Sequence, residues 1–240
     1  MNRDSSYTGP AASPGFLALS GVAGLFCAAV GLAIGVLEAG APPFNSPLPD
    51  VFAYLRDGSE MLYVSTLLRF VLLPLLPVMA VGIYHWLGPS AGAWRLVGLL
   101  GLALIPSIGF PANSAATIAL WRLPVLEEQS QLLTMLWSMS AVWFFGAVLL
   151  WGVGVGSFSV AGWQSARMPR WLAGLGILVG ALGVVGGVGV SLFLSRELLA
   201  GAILSTISLL LPVWLVTISV ILIRDSRRAR MVMDESSAVD

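Results

Sequence analysis

Long apolar stretches separated by short polar segments make up most of the chain. An α-helix rises about 1.5 Å per residue, so about 20 apolar residues cross a hydrocarbon layer of about 30 Å. The pattern predicts an all-α fold, a polytopic membrane helix bundle with about six transmembrane helices. The predicted spans are residues 16–37, 61–87, 94–120, 132–162, 171–194 and 198–223. Residues 195–197 allow only a tight turn, so the last two spans are expected to be antiparallel neighbours.

Both ends of the chain are polar. Residues 1–15 are rich in Ser, Pro and Gly, and residues 224–240 are charged, so both predict disordered cytoplasmic tails. A cleaved signal peptide is the competing interpretation of the first span, because Ala39, Gly40 and Ala41 resemble a cleavage site. Signal peptides usually carry only about 7–15 apolar residues, which favours a retained helix.

The longest loop covers residues 38–60. Four prolines are expected to keep its first half extended. Asp50 is predicted to cap a short helix, with Val51, Phe52, Tyr54 and Leu55 lying on the membrane surface.

Composition agrees with a membrane protein. Of 240 residues, 58% are apolar and 10% are charged, whereas soluble domains carry about 25% charged residues. All twelve basic residues are arginine, which is typical of a GC-rich coding bias. The expected location of such a multi-pass chain is a cell inner (plasma) membrane. The net charge of zero gives no reason to expect a nucleic-acid partner, which would need a concentrated basic face, and membrane lipid is the expected surrounding.

Arginine distribution predicts the orientation. With both termini in the cytoplasm, inner segments hold eight arginines and outer loops hold three, as the positive-inside rule requires. Tryptophans fall at predicted inner span ends (Trp86, Trp94, Trp163 and Trp171) and near outer ends (Trp121 and Trp137). Indole rings favour the headgroup level, which supports these boundaries.

Candidate chemistry is sparse. Cys27 and His85 are the single cysteine and histidine, which excludes an intrachain disulfide, a bis-His haem site and His-rich metal sites. Cys27 lies in an apolar run and is expected to be a packing residue. Neither a catalytic set nor a nucleotide-binding loop is recognisable, so the sequence predicts a protein that is not an enzyme and has no cofactor.

Arg69 is the most distinctive candidate for a polar or ligand site, because it lies inside the second span. Three interpretations stand side by side: an interfacial side chain that extends towards water, a structural ion pair, and a substrate or ion site. The candidate partners are the glutamates expected on the same side of the membrane, Glu38, Glu60, Glu127, Glu128 and Glu197.

Asn113 is the second candidate, since it follows Pro111 in the third span with Ser114 and Thr117 nearby. A kink at the proline frees backbone carbonyls. In one interpretation these carbonyls and the Asn113 amide line a small polar pocket. In the other, the amide forms hydrogen bonds with a neighbouring helix. Hydroxyls elsewhere in the spans are expected to bond to the preceding turn of their own helix.

Seven glycines give the fifth span a surface nearly free of side chains. Such a surface lets helix backbones approach closely. It favours packing within the bundle, and a homo-oligomer through this span is the alternative.

A short motif carries a family resemblance. Residues 162–180 contain a short basic loop followed by Pro169, Arg170, Trp171 and Leu172 at the start of a helix, and Leu68, Arg69 and Phe70 precede a proline-containing helix. These features resemble an uncharacterised bacterial six-transmembrane-helix family, a domain of unknown function, over residues 16–223. The resemblance implies six helices and brings no catalytic residues.

Two functions follow as hypotheses. The first is a non-catalytic accessory or scaffold bundle that meets a partner membrane protein or a second copy. The second is a permease for a small or apolar molecule, suggested by the proline-containing helices and by Arg69.

Overall fold

The computed structural model describes residues 13–42, 46–192 and 197–237. This part of the chain contains eight α-helices, one 3₁₀ turn at Pro89–Ala91 and no strand. The helices are α1 (Pro14–Leu37), α2 (Leu48–Asp57), α3 (Ser59–Leu87), α4 (Trp94–Trp121), α5 (Leu123–Glu128), α6 (Ser130–Gln164), α7 (Arg170–Leu192) and α8 (Glu197–Ser237).

Six helices are long and apolar enough to cross a membrane, namely α1, α3, α4, α6, α7 and α8. The prediction of an all-α bundle with six spans is therefore confirmed, and the chain is a multi-pass membrane protein. The observed helices extend by one or two residues beyond several predicted spans, and α8 continues much further, to Ser237. Proline inside α3, α4 and α8 does not end these helices.

The six long helices form a closed ring. Each packs against the next long helix in chain order, and α1 packs against α8. Glycine contacts show the antiparallel pairing of α7 and α8, since Gly176 lies beside Trp214 while Gly186 lies beside Ile203. The predicted tight turn between these helices includes residues 193–196, which lie outside the described residues.

The centre of the ring is filled by side chains. Leu76, Met79, Ile83, Phe158 and Trp214 are fully buried in one cluster to which all six long helices contribute. Because lipid tails are as apolar as these side chains, the cluster is stabilised mainly by close van der Waals packing and not by removal of apolar surface from water. Cys27 is buried in the same cluster, which confirms its role in packing.

Glycine brings α6 and α7 into backbone contact. A methyl group at Gly152 would lie 2.6 Å from the backbone nitrogen of Val184, and one at Gly180 would lie 2.5 Å from Cα of Gly156. Real Cβ atoms essentially never come this close to backbone. The glycine surface of α7 is therefore used for packing within the bundle, as the sequence favoured.

One buried hydrogen bond crosses this glycine surface. The indole Nε1 of Trp214 in α8 donates to Oγ of Ser159 in α6 over 3.1 Å. Gly176 of α7 lies directly beside both groups, and a side chain there would collide with them. Because Gly176 has no side chain, Trp214 of α8 can reach Ser159 of α6 past the backbone of α7.

The disordered charged tail predicted for residues 224–240 is wrong for residues 224–237, where α8 continues as helix. The reason is that extension of an existing helix adds one hydrogen bond per residue without a new nucleation cost. Arg, Ala and Met are also strong helix formers. At the other terminus, Ser13 caps α1 and the helix begins at Pro14, while residues 1–12 of the predicted tail lie outside the described residues.

The long loop also differs from its prediction. The short helix α2 forms as expected, but Pro47 is its N-cap residue and Asp50 lies in the first turn. Val51 and Leu55 are buried in a small cluster with Ala119 of α4, Leu126 of α5 and Leu133 of α6, and so they do not lie on the membrane surface. Amphipathic periodicity predicted one apolar face correctly and could not tell whether lipid or protein covers it.

Candidate functional site

Arg69 and Glu38 form an ion pair between α3 and the end of α1. Glu38 is the C-cap residue of α1, where its backbone N–H donates to the carbonyl of Ile34 over 3.0 Å. Arg69 lies about three turns into α3, roughly 15 Å from Ser59 along the axis. Two residues 31 positions apart are therefore brought together by the packing of α1 on α3.

Both carboxylate oxygens of Glu38 are used. Oε2 accepts from the guanidinium of Arg69, and Oε1 accepts from Oγ of Ser65 over 2.6 Å. Ser65 lies one turn before Arg69 on α3, so the two donors face the same carboxylate. The side chains of Arg69 and Glu38 remain 31% and 21% exposed, so the pair is partly buried. Its geometry agrees with the structural ion pair among the three interpretations.

Tyr54 of α2 lies close to this pair. Its phenol has a pKa raised to about 12, first because of burial and then because of the negative charge of Glu38, while Arg69 acts in the opposite direction. Tyr54 of α2 is thus close enough to the ion pair for both charges to act on its phenol. We name Glu38, Tyr54, Ser65 and Arg69 the α2-end cluster.

Asn113 is buried, with 3% of its surface exposed. Gly109 packs against Leu73 of α3, and the rings of Phe110 and Phe70 lie 5.9 Å apart. The two helices are antiparallel, so one turn further along α4 corresponds to one turn back along α3. Asn113 therefore lies on the α3-facing side of α4 at about the depth of Arg69.

The side chain of Glu127 lies outside the described residues, and only its backbone place in α5 is described. Glu60 lines a separate open groove at the start of α3, together with Tyr63 and Trp121. The structure thus brings Arg69 to Glu38, puts Asn113 at the same depth, and leaves Glu60 in a different groove.

A second polar network lies at the opposite end of the bundle. The indole Nε1 of Trp86 donates to Oδ2 of Asp225 over 2.9 Å, and the guanidinium of Arg167 donates to the Trp86 carbonyl. Nearby, the guanidinium of Arg95 lies 4.4 Å from the ring centre of Tyr84, a cation–π contact. Sequence reasoning missed this network, although an acid within an arginine-rich segment and an interfacial tryptophan were the available signals.

Most hydroxyls of the spans bond to their own helices. Thr117, Thr206 and Thr217 each donate to the carbonyl four residues earlier over 2.8 Å, which confirms the expectation for such side chains. Among the residues that the structure describes, no group of three or more His, Cys, Asp or Glu side chains is arranged to hold a metal ion.

Comparisons with protein-family models, with curated proteins and with solved structures found no match for this chain. The resemblance to an uncharacterised six-helix family therefore stays a prediction from short motifs.

Proposed function

We propose that this chain is a non-catalytic accessory or scaffold bundle of a bacterial inner membrane, with both termini in the cytoplasm. The observation that carries the proposal is the backbone contact of α6 with helices on both of its sides. Such a bundle holds one shape and presents constant outer surfaces to a partner membrane protein.

The close contacts of α6 leave little freedom for helix movement. A methyl group at Gly101 of α4 would lie 2.6 Å from the Gly154 nitrogen, on one side of α6. On its other side, a methyl group at Gly183 of α7 would lie 2.6 Å from Cα of Gly152. Alternating access requires helices to separate and close again around a solute site. Because α6 is in backbone contact with both α4 and α7, its packing supports a scaffold more than a transporter whose helices must separate.

The ion pair supports the same proposal. An arginine within a membrane helix is costly unless its charge is compensated. Glu38 supplies that compensation within the protein, and Ser65 donates a further hydrogen bond to the same carboxylate. Arg69 thus has a structural role that needs no bound solute.

A permease for a small or apolar molecule is the second candidate. Its specific support is the partial exposure of Arg69 and Glu38 together with the buried Asn113 at about the same depth. In a permease, a solute would displace Glu38 from Arg69 and bind to the polar groups of Arg69 and Asn113.

Reconstituted vesicles separate the two functions. For a scaffold, vesicles containing the protein take up a panel of small anions and apolar solutes at the rate of empty vesicles. Uptake above that rate, lowered by Arg69→Ala or Asn113→Ala, would establish the permease and overturn the scaffold proposal. A matched control is Ser114→Ala, which changes a hydroxyl that only bonds to the carbonyl of Phe110.

A photo-crosslinking residue tests the scaffold directly. Val36 and Val142 are large apolar side chains that point outward. We expect crosslinking in cells to give one adduct of discrete mass from at least one of these positions. Absence of any discrete adduct from a scan of such outward positions on all six long helices would contradict a scaffold.

The orientation is tested by reporter fusions after Asp240. A fluorescent reporter that folds only in the cytoplasm should be active, whereas a periplasmic phosphatase reporter should be inactive. The reverse result would overturn the proposed orientation, which rests on eight inner arginines against three outer ones.

A further inference from the structure

Three arginines of α8 share one face. Arg224, Arg227 and Arg228 are spaced by three and four residues, which places them side by side on a helix surface. All three side chains are exposed. Together with apolar side chains they line a shallow, open depression on the surface of α8 alone, and we name it the arginine groove. Its lining residues are Val220, Ile223, Arg224, Arg227, Arg228 and Met231.

The groove lies where α8 leaves the apolar layer. Ile223 ends the apolar run, and Arg224 begins the charged segment. The neighbouring Asp225 is bonded to Trp86, an aromatic residue of the type that marks the headgroup level. Trp163 and Trp171, at helix ends on the same side, are exposed. The groove therefore lies across the boundary between the apolar run of α8 and its charged segment.

The acid nearest in sequence to the three arginines is already bonded to another side chain. The carboxylate of Asp225 accepts a hydrogen bond from the indole of Trp86 on α3. Among the side chains that the structure describes, no acidic group forms an ion pair with Arg224, Arg227 or Arg228. Like charges at these spacings repel each other across the helix surface. An anion placed between them relieves this repulsion.

We infer that the arginine groove binds the headgroup phosphate of an anionic phospholipid, with an acyl chain lying along Val220 and Ile223. Guanidinium groups bind phosphate oxygens through two parallel hydrogen bonds, and Arg is therefore well suited to this ligand. Clusters of arginine on the cytoplasmic side of a membrane helix attract anionic lipid. The apolar wall of the groove is what distinguishes a lipid from a soluble phosphate.

The test uses the full chain in a zwitterionic detergent, with thermal unfolding followed by tryptophan fluorescence. Phosphatidylglycerol should raise the midpoint by about 3 °C more than phosphatidylcholine of the same chain length, and the effect should saturate. Arg224→Gln combined with Arg228→Gln should remove most of this difference. The matched control is Arg122→Gln with Arg170→Gln, which removes the same charge from exposed arginines elsewhere. This control should retain the difference between the two lipids.

Several results would overturn the inference. These are an equal effect of both lipids on the wild-type chain, an equal loss in the groove variant and the control, and an equal shift with glycerol phosphate alone. The last result would assign the groove to a soluble phosphate. Native mass spectrometry of the wild-type chain gives a readout that does not depend on the stability of a variant. It should show phosphatidylglycerol retained at collision energies that remove phosphatidylcholine, and equal retention would also refute lipid recognition.

Discussion

Trp86 and Asp225 lie 139 positions apart and are joined by a hydrogen bond of 2.9 Å from the indole nitrogen to the carboxylate. Trp86 is also the residue whose carbonyl accepts a hydrogen bond from Arg167 in the link between α6 and α7. The end of α3 thus holds α8 through one group and the α6–α7 link through another. This end of the bundle is fixed by polar contacts, whereas its centre is fixed by apolar packing.

Removal of the Asp225 carboxylate should destabilise the protein. The indole of Trp86 is almost fully buried, so Asp225→Ala leaves its N–H without that acceptor. A hydrogen bond to a charged group contributes about 1.5–3 kcal/mol, and we expect a loss near the lower value because Asp225 is only partly buried. Thermal unfolding in detergent measures this. Asp225→Asn keeps an acceptor oxygen and should retain most of the stability, and a loss equal to that of Asp225→Ala would contradict the role of the hydrogen bond.

The coupling between Glu38 and Arg69 can be measured with a double-mutant cycle. Glu38→Gln and Arg69→Gln should each destabilise the protein, because each leaves a partly buried charge without its partner. The double variant should be less destabilised than the sum of the two, with a coupling of about 1 kcal/mol. Additive losses would show that the pair makes no energetic contribution. Ser65→Ala removes the second donor to Glu38 and should lower the coupling.

Two glycines provide a matched test of close packing. Gly152→Ala places a methyl group against the backbone of α7, so it should destabilise the protein by about 1–3 kcal/mol. Gly31→Ala makes the same change on α1 where no other atom lies within 4 Å, and it should be neutral or stabilising by about 0.5 kcal/mol. Unfolding midpoints of the two variants give the comparison. Similar effects at both positions would contradict the packing of α6 on α7.

Tyr54 should make stability depend on alkaline pH. Its pKa is raised from the ordinary 10.0 to about 12 in the folded chain, mainly by burial. A raised pKa means that the fold favours the neutral phenol. This contribution to stability is therefore complete below about pH 10 and is lost as the pH rises through about 12.

Tyr54→Phe should flatten this part of the stability profile between pH 10 and 12. Tyr63→Phe removes the same hydroxyl from an exposed tyrosine of α3 outside the α2-end cluster and is the matched control. Denaturant unfolding at a series of pH values provides the measurement, and ultraviolet absorbance of tyrosinate follows ionisation directly. An unchanged profile in Tyr54→Phe would assign the alkaline loss to other groups.

The number and position of the membrane helices could be predicted from the sequence. The thickness of the hydrocarbon layer sets the apolar length that a helix needs, and this requirement acts on each segment separately. Local chemistry also indicated the short helix α2 and the use of the glycines of α7 in packing. None of these conclusions requires knowledge of which helices are neighbours, apart from the tight link between α7 and α8.

The partner of Arg69 was decided only by the tertiary structure. Five glutamates were candidates from the sequence, and only the packing of α1 on α3 selects Glu38. The same holds for Val51, which is buried in one cluster with residues of α4, α5 and α6, and for Asp225, whose partner lies 139 positions away. A side chain's partner depends on which helix ends meet in space. Hydrophobic length and charge along the chain do not contain that information, because many helix arrangements satisfy the bilayer equally well.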